Sequence, residues 1–370
     1  MKLFVLKEPK WEHRVSVTPD AAKFLSKFGS ILVEKSAGER AGFSDDDYKS
    51  VGCVIVKQRD IGDADVVFGI GPIRCLDSVN GWTIIICLQE PYENRENLRL
   101  AKEKNLAMFS LELIPRSTRA QYMDVLSSQS SLAGYKAAIE SAHFLRKGLP
   151  LMMTTAGTVP AAKVLVIGAG VAGLQAIATA KRLGAIVSAF DVRTSAKEQV
   201  ESIGAKFVEV ESVESEDGIY ATEMTASYQT AQEAKLRSVI PAQDIIITTA
   251  QIPGKKAPII IKKDMVATMK RGSVLIDLAS KTGGNCELTK HGETVSEHGV
   301  LIISFDNILN LIAYDASRLF AKNVSAFFEL LSKEMEKTKN LSQIEEEIIK
   351  STLLTFDGEI VNEKFKGVCL

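Results

Sequence analysis

The chain has few of the residues from which metal centres and disulfide frameworks are built. Its 370 residues include five cysteines and four histidines, and no two cysteines have the spacing of a zinc site. Scattered cysteines are typical of reduced thiols in a cytosolic protein, whereas paired frameworks belong to secreted chains. We therefore expect neither disulfide bonds nor a bound metal ion.

Long apolar runs and a charge excess are missing as well. No run approaches the ~20 apolar residues of a membrane helix, and the N-terminus has no apolar signal-peptide segment. The formal net charge of −1 gives no electrostatic reason to bind nucleic acid or an anionic membrane. A composition of 46% hydrophobic and 25% charged residues indicates a soluble globular protein, and the length favours two domains.

The most informative stretch is a glycine-rich turn after the apolar run 163–167. Its glycines are Gly168, Gly170 and Gly173, and a second apolar run ends at Asp191. In a dinucleotide-binding unit these glycines permit a tight turn, close approach of a pyrophosphate and close packing of helix on strand. The acid at this distance accepts from a ribose hydroxyl. The pattern predicts a dinucleotide site, and a plain glycine turn in a βαβ unit is the alternative.

Short apolar runs alternate with helical patterns along most of the chain, which predicts an α/β fold with mostly parallel sheets. Six predicted strands after residue 162 make a complete doubly wound domain. A helical pattern at 313–334 and a short strand at 355–361 have no sheet of their own, so we expect them to return to the first domain. The prediction is two Rossmann-like domains, with the dinucleotide domain 135–308 inserted between 1–134 and 309–370. The ligand would then lie in a cleft between the domains.

A dense group of polar residues precedes a predicted helix at 132–146. Gln121, Asp124 and Ser127 or Ser128 are about one helical turn apart, so they would share a helix face. Together with Arg116 they offer the donors and acceptors that a carboxamide and a ribose require. A solvated helix start with local capping is the alternative.

Three other features each allow two interpretations. Residues 248–254 form either a loop over the cofactor or a plain Pro-Gly turn. The acidic stretch 211–228 is either a mobile lid or a solvated insertion. Arg14 either faces the cleft or caps a helix, and an Arg at the surface is the commoner case.

Several motifs match one family nearly end to end, weakening after about residue 335. They begin at Lys7, Arg14, Pro115, Gly134, Gly168, Asp191, Thr249, Ile276, Gly283 and Asp315. The chain resembles the NAD(H)-binding component, domain I of the alpha subunit, of proton-translocating nicotinamide nucleotide transhydrogenases. It is also similar to the related alanine dehydrogenases.

The resemblance implies roles for individual residues. Gln121 would reach toward the NADP nicotinamide on a partner subunit, and Arg116, Asp124 and Ser127 would orient the NAD(H) ring. Gly218 and Tyr220 match a mobile loop that closes on the nucleotide. The implied NAD(H) contacts are Ser127, Ser128, Tyr135, Gly168, Gly170, Val171, Ala172, Gly173, Asp191, Val192, Arg193, Gly218, Tyr220, Gln232, Ala250 and Gln251.

The resemblance also implies an activity and an assembly. The chain would pass hydride between NADH and NADP⁺, with NADP(H) on a partner subunit and proton translocation carried by membrane-spanning partners. We expect a homodimer that is cytoplasmic and peripheral to the inner membrane through those partners. Asp191 favours NAD because a carboxylate repels a 2′-phosphate, although Arg193 is a group that accepts such a phosphate.

Alanine dehydrogenase is the alternative, with a nucleotide-binding regulator as a third class. In that relative a Lys after an early strand holds the substrate carboxylate, and a His after a later strand is the acid–base. Residues 67–74 and 85–90 contain neither. Hydride transfer between two nicotinamides requires no general acid or base, so these absences favour transhydrogenation over amino-acid oxidation.

Overall fold

The chain divides into two compact units. A computed structural model describes residues 1–210, 226–252, 254–338 and 340–366. Unit 1 is Met1–Gln129 with Leu309–Leu370, and unit 2 is Ser130–Ile308. The predicted boundary at 134/135 falls a few residues further along the helix Val125–Phe144.

The helices and strands follow the alternation that the sequence indicates. The helices are α1 (Pro19–Leu25), α2 (Asp45–Ser50), α3 (Arg95–Glu103), α4 (Val125–Phe144), α5 (Val171–Arg182), α6 (Ala196–Ser202), α7 (Ala226–Val239), α8 (Lys263–Ala267), α9 (Ala313–Lys337) and α10 (Glu347–Thr352). The strands are β1 (Lys2–Val5), β2 (Ser30–Glu34), β3 (Val54–Val56), β4 (Val66–Phe68), β5 (Ile84–Cys87), β6 (Ala107–Ser110), β7 (Met152–Thr154), β8 (Gly157–Val159), β9 (Lys163–Ile167), β10 (Ile186–Phe190), β11 (Lys206–Phe207), β12 (Ile245–Thr248), β13 (Val274–Asp277), β14 (Thr294–Glu297), β15 (Val300–Ile303), β16 (Leu353–Phe356) and β17 (Glu359–Ile360).

Unit 1 is built on a sheet whose described strands lie in the order β17-β16-β6-β5-β4-β1-β2-β3. Strands β1 to β6 pair in parallel. The three strands β4, β5 and β6 are buried along their whole length, which explains their continuous apolar sequences.

The C-terminal segment returns to unit 1, as predicted. Strand β16 pairs antiparallel with β6, and β17 folds back on β16. The apolar face of α9 enters the same core, where Phe320, Val324, Phe327 and Phe328 are fully buried. The helical spacing of these residues is therefore the signature of a core-facing helix.

Unit 2 has a sheet in the order β11-β10-β9-β12-β13-β15-β14. The six predicted parallel strands are confirmed, and their order is that of a doubly wound dinucleotide fold. The antiparallel edge strand β14 and the hairpin of β7 with β8 were not predicted. Strand β14 reads Thr-Val-Ser-Glu and the hairpin strands are mostly exposed, so neither has an apolar run.

Candidate functional site

The glycine-rich turn lies between β9 and α5, where the strand order of unit 2 reverses. Gly168 has φ +95°, and a Cβ atom there would lie 2.6 Å from Thr249 Oγ1. A Cβ atom on Gly173 would lie 1.8 Å from the Gly168 carbonyl oxygen. Both positions therefore require glycine for the protein's own packing.

Gly170 differs because nothing in the described protein comes within 4 Å of a Cβ atom placed there. It is the N-cap of α5 and provides no side chain to cap the helix. The first N–H groups of α5 are therefore not capped by a side chain of Gly170, and uncapped groups at a helix N-terminus are the arrangement that binds a pyrophosphate. Val171 is exposed and Ala172 is half-buried in the same turn.

Helix α4 approaches this turn through a third tight contact. A Cβ atom on Gly134 would lie 1.9 Å from the Ala172 carbonyl oxygen, so α4 and α5 approach each other to backbone distance. Tyr135 follows Gly134 and is 38% exposed, which leaves its ring accessible beside the turn.

Asp191 lies at the end of β10 and is held against the turn. Its Oδ2 accepts from the Ala169 N–H at 2.7 Å, and its Oδ1 accepts from the Arg193 N–H at 2.8 Å. The Arg193 guanidinium donates to both carboxylate oxygens at 3.1 Å. This hydrogen bond to Asp191 raises the pKa of Arg193. Val192 is half-buried between them.

The loop after β12 is fastened by a side chain that the sequence pattern did not reveal. Asn285 Oδ1 accepts from the Ala250 N–H at 3.0 Å, and Asn285 Nδ2 donates to the Ala250 carbonyl at 2.8 Å. The Asn285 N–H in turn donates to Asp277 Oδ2 at 2.7 Å. The Gly283-Gly284-Asn285 motif was its only sequence signal. The plain-turn interpretation of residues 248–254 involves Pro253, which lies outside the described residues.

A polar cavity of about 190 Å³ adjoins this loop at the carboxyl ends of β12, β13 and β15. Gln251 lines it and donates to the Leu278 carbonyl at 3.1 Å. Ser280 Oγ and His291 Nδ1, 3.1 Å apart, lie on another wall. Gln232 lies on α7 and is half-buried, while Gly218 and Tyr220 lie outside the described residues.

The segment that carries Arg116, Gln121 and Asp124 belongs to unit 1. The prediction that Gln121, Asp124 and Ser127 share one helix face was wrong. A 3₁₀ helix, Thr118–Met123, ends before Asp124, and α4 begins after it. Asp124 instead caps α4, because its Oδ1 accepts from the Ser127 N–H at 2.9 Å and its Oδ2 from Ser127 Oγ at 2.6 Å. A spacing of three residues fits both a helix cap and a shared helix face, and in the structure Asp124 and Ser127 form the cap.

The Arg116 and Gln121 side chains are exposed, and neither has a hydrogen-bond partner among the residues that the structure describes. The N–H donors of both side chains are therefore accessible. Ser128 is different, because its Oγ donates to Asn323 Oδ1 at 2.7 Å within unit 1. Arg14, for which two interpretations were open, is 7% exposed, so the surface interpretation was wrong.

Metal-ligand clusters and membrane-spanning helices are both missing from the described residues. No group of three or more His, Cys, Asp or Glu side chains there has the geometry to hold a metal ion. No described helix combines the length and apolar character needed to cross a bilayer.

The sheet order of unit 2, its glycine turn and Asp191 define a Rossmann-type α/β protein with a dinucleotide site. Two family models match the chain: the alanine dehydrogenase/PNT N-terminal domain over residues 4–133, and the C-terminal domain over residues 137–363. The chain belongs to the alanine dehydrogenase/PNT family.

Individual relatives sharpen this assignment. A Rickettsia prowazekii protein, named as the first part of NAD(P) transhydrogenase subunit alpha, is 44% identical over 100% of this chain and 99% of the relative. The protein of the same name from Rhodospirillum rubrum is 43% identical, over 99% of both. A transhydrogenase structure from Sinorhizobium meliloti matches with TM-score 0.87 and 40% identity, covering 99% of this chain and 100% of that one. An L-alanine dehydrogenase structure, at 23% identity, TM-score 0.80 and 98% coverage of both chains, shares the fold.

Proposed function

We propose that this chain is the NAD(H)-binding component of an NAD(P) transhydrogenase. It transfers hydride between NADH and NADP⁺ held on a partner subunit. The observation that carries the proposal is the open Gly170 position at the N-terminus of α5, bounded by Asp191, in a chain related throughout its length to transhydrogenase alpha subunits. Bound NAD(H) supplies the transferable hydride, and the protein provides position and surroundings.

The residues of unit 2 fit the nucleotide. Backbone N–H groups of Val171 and Ala172 suit the pyrophosphate, and Asp191 suits the adenosine ribose. Arg193 donates to Asp191, so its guanidinium is engaged by that carboxylate and is not left free to accept a 2′-phosphate. This pairing supports NAD over NADP. We propose 135–308 as the NAD-binding domain, and the further proposed contacts are Tyr135, Val192, Gly218, Tyr220, Gln232, Ala250 and Gln251.

The residues of unit 1 fit the reacting ring. Arg116 and Gln121 offer exposed donors, and Gln121 would reach the second nicotinamide. Asp124 and Ser127 hold each other in place, and their remaining hydrogen-bonding capacity suits the carboxamide of NAD(H). Ser128 would contribute through the backbone, because its hydroxyl is directed to Asn323.

An amino-acid dehydrogenase is disfavoured by the same unit. Arg14 Nε and Nη2 donate to Glu12 at 2.9 and 2.6 Å, and Arg14 Nη1 donates to Gln129 at 2.8 Å. The Arg74 guanidinium lies 5.3 Å from the centre of the Trp11 ring. The Arg14 guanidinium is thus fully engaged within the protein, and no Lys or His occupies residues 67–74 or 85–90.

The assembly is proposed to include an NADP-binding subunit and membrane-spanning subunits that couple hydride transfer to proton translocation. Through them the chain would be peripheral to the inner membrane on its cytoplasmic side. A homodimer is supported by the β7–β8 hairpin, which exposes Leu151, Met152 and Met153 at 61%, 41% and 82%. Sedimentation of the wild-type chain at twice the monomer mass would agree, whereas a monomer at micromolar concentration would contradict it.

Two assays on one preparation test the activity. Mixed with its NADP-binding and membrane partners, the chain is expected to reduce an NADP⁺ analogue with NADH. Alone it is expected to leave alanine unoxidised in the presence of NAD⁺. Alanine turnover by the isolated chain would overturn the proposal in favour of an amino-acid dehydrogenase. Tight NADH binding without transfer in the complete assembly would favour a regulator.

A further inference from the structure

A buried polar chain in unit 1 links the residues after β1 to helix α9. It consists of Glu12, Arg14, Gln129, Ser128 and Asn323. Glu12, Arg14 and Gln129 are 2%, 7% and 7% exposed, and Arg14 donates to both of the others at 2.6 to 2.9 Å. Burial raises the pKa of Glu12, but hydrogen bonding and charge from Arg14 outweigh it and hold that pKa below its ordinary value. The pair is therefore ionised and fixed.

The buried polar chain continues through α4 to α9. Gln129 Nε2 donates to the Ala316 carbonyl at 3.1 Å, which ties the first turns of α4 and α9. One residue earlier, Ser128 Oγ donates to Asn323 Oδ1 at 2.7 Å. Asn323 is 8% exposed, so its amide has little access to water and depends on these partners.

The buried polar chain ends on the candidate hydride-transfer segment. Asn323 Nδ2 donates to the Tyr122 carbonyl at 2.7 Å, and Tyr122 is the residue directly after Gln121. Both ends of the Asn323 amide are thus used, one on the cap region of α4 and one on the 3₁₀ helix Thr118–Met123. A carbonyl held at this distance restricts the peptide plane that follows Tyr122 and, with it, the turn that carries Gln121.

Side-chain packing alone holds this 3₁₀ helix only partially. Ala120 is fully buried, whereas Tyr122 is 80% exposed and Gln121 is exposed. Arg119 pairs with Glu346, at a position where the Arg119 side chain is itself 69% exposed. An exposed ion pair contributes little to stability. The hydrogen bond from the buried Asn323 side chain to the Tyr122 carbonyl therefore restrains the part of the 3₁₀ helix that contains Gln121.

We propose that Asn323 is a positioning residue for hydride transfer: it holds the Tyr122 carbonyl and thereby fixes Gln121. The inference rests on the proposed function, in which Gln121 reaches the second nicotinamide. Nothing in it requires Asn323 to touch a nucleotide. Its removal therefore lowers the rate of transfer and leaves the NADH site on unit 2 intact, since misplacement of a reacting group costs rate more than affinity.

The test compares two isosteric substitutions of buried amides in unit 1. Asn323→Asp keeps the shape but removes the donor to Tyr122. Asn362→Asp is the matched control, because Asn362 is 6% exposed and donates to the Ser351 and Leu353 carbonyls at 2.9 and 3.2 Å. Asn323→Ala removes both bonds without adding a charge, and it replaces the Asp variant if the latter fails to fold.

Three readouts separate positioning from general destabilisation. In the complete enzyme, Asn323→Asp is expected to lower kcat about tenfold, with the Kd for NADH within about twofold of wild type. In the isolated chain, amides of residues 118–124 are expected to exchange hydrogen about tenfold faster. Asn362→Asp is expected to change neither kcat nor that exchange.

Unchanged exchange in residues 118–124 would overturn the inference, as would faster exchange with wild-type kcat. Equal losses in the Asn362 variant would also overturn it, because the effect would then be one of stability. If the wild-type assembly transfers no hydride, the proposed function fails, and the exchange measurement alone decides whether Asn323 holds the segment.

Discussion

At the scale of single residues, Gly170 and Gly173 of the glycine turn in unit 2 differ in why the position is a glycine. A side chain at Gly173 would collide with the Gly168 carbonyl, so the fold itself excludes it. A side chain at Gly170 would meet no atom of the described residues within 4 Å, so their packing gives no reason for glycine there. The sequence pattern assigned close approach of a pyrophosphate to Gly170 and close helix packing to Gly173, and the tight contact at Gly173 agrees with the second role.

This difference gives a matched pair of variants. Gly170→Ala is expected to keep the wild-type melting temperature and to weaken NADH binding about tenfold, because the added methyl occupies pyrophosphate space. Gly173→Ala is expected to lower both stability and binding. Calorimetry of unfolding and of NADH titration measures the two effects. Wild-type affinity in Gly170→Ala would contradict the placement of the nucleotide.

Glu8 gives a prediction for pH. It is 5% exposed, and burial raises its pKa to about 7, against an opposing hydrogen bond from the Ile70 N–H. The folded chain therefore keeps this proton at pH values where the unfolded chain, with a pKa of 4.5, has lost it. The contribution of Glu8 to the free energy of unfolding decreases as pH rises from 4.5 through 7, by up to about 3 kcal/mol.

Urea unfolding at pH 5 and pH 8 checks this direction. In the wild type, the free energy of unfolding is expected to decrease from pH 5 to pH 8. In Glu8→Gln this decrease is expected to be smaller, because the amide accepts from the Ile70 N–H without titrating. The exposed Glu336→Gln variant is the control and is expected to behave as wild type. A wild-type pH dependence in Glu8→Gln would show that Glu8 does not carry it.

At the scale of elements, periodic apolar patterns were enough to predict which helix faces enter the core. The sequence did not indicate which groups the buried polar side chains bond. The spacing of Phe320, Val324 and Phe327 is enough by itself to predict that α9 is a core helix. Nothing in the sequence indicated that Asn323 on the same helix bonds the Tyr122 carbonyl, because the two lie about two hundred positions apart and one buried amide has no local signature. Asn285 had a local signal in the Gly283-Gly284-Asn285 motif, but the motif did not identify Ala250 as its partner.

Helix α9 also supplies a prediction about stability. Phe328 packs edge-on against Phe28 and Phe68, with ring centroids 5.4 Å apart in each pair. Phe328→Ala is expected to destabilise the chain by about 3–5 kcal/mol. Phe24→Ala on α1, where the ring is 39% exposed, is the control and is expected to cost less than about 1 kcal/mol. Denaturant unfolding measures both. Similar losses would contradict the role of α9 in the core.

At the scale of the whole molecule, the chain is one α/β unit with a second one inserted into it. Alternating strands and helices predicted both sheets, and the absence of a sheet around the C-terminal helix predicted its return to unit 1. The unpredicted strands, β14 and those of the β7–β8 hairpin, lie at an edge and outside the main sheets, where no buried face imposes an apolar pattern. The inference about the type of reaction came from unit 1, where residues 67–74 and 85–90 contain no Lys or His to support amino-acid oxidation.

The most direct test of direct hydride transfer follows one hydrogen atom. NADH deuterated at the transferable position of nicotinamide C4 is mixed with the chain, its partner subunits and an NADP⁺ analogue, and the reduced analogue is analysed by mass spectrometry. The proposed function predicts that the deuterium appears on the analogue, because the two rings meet directly. Reduced analogue without deuterium, or deuterium appearing only in a small keto-acid product, would contradict it.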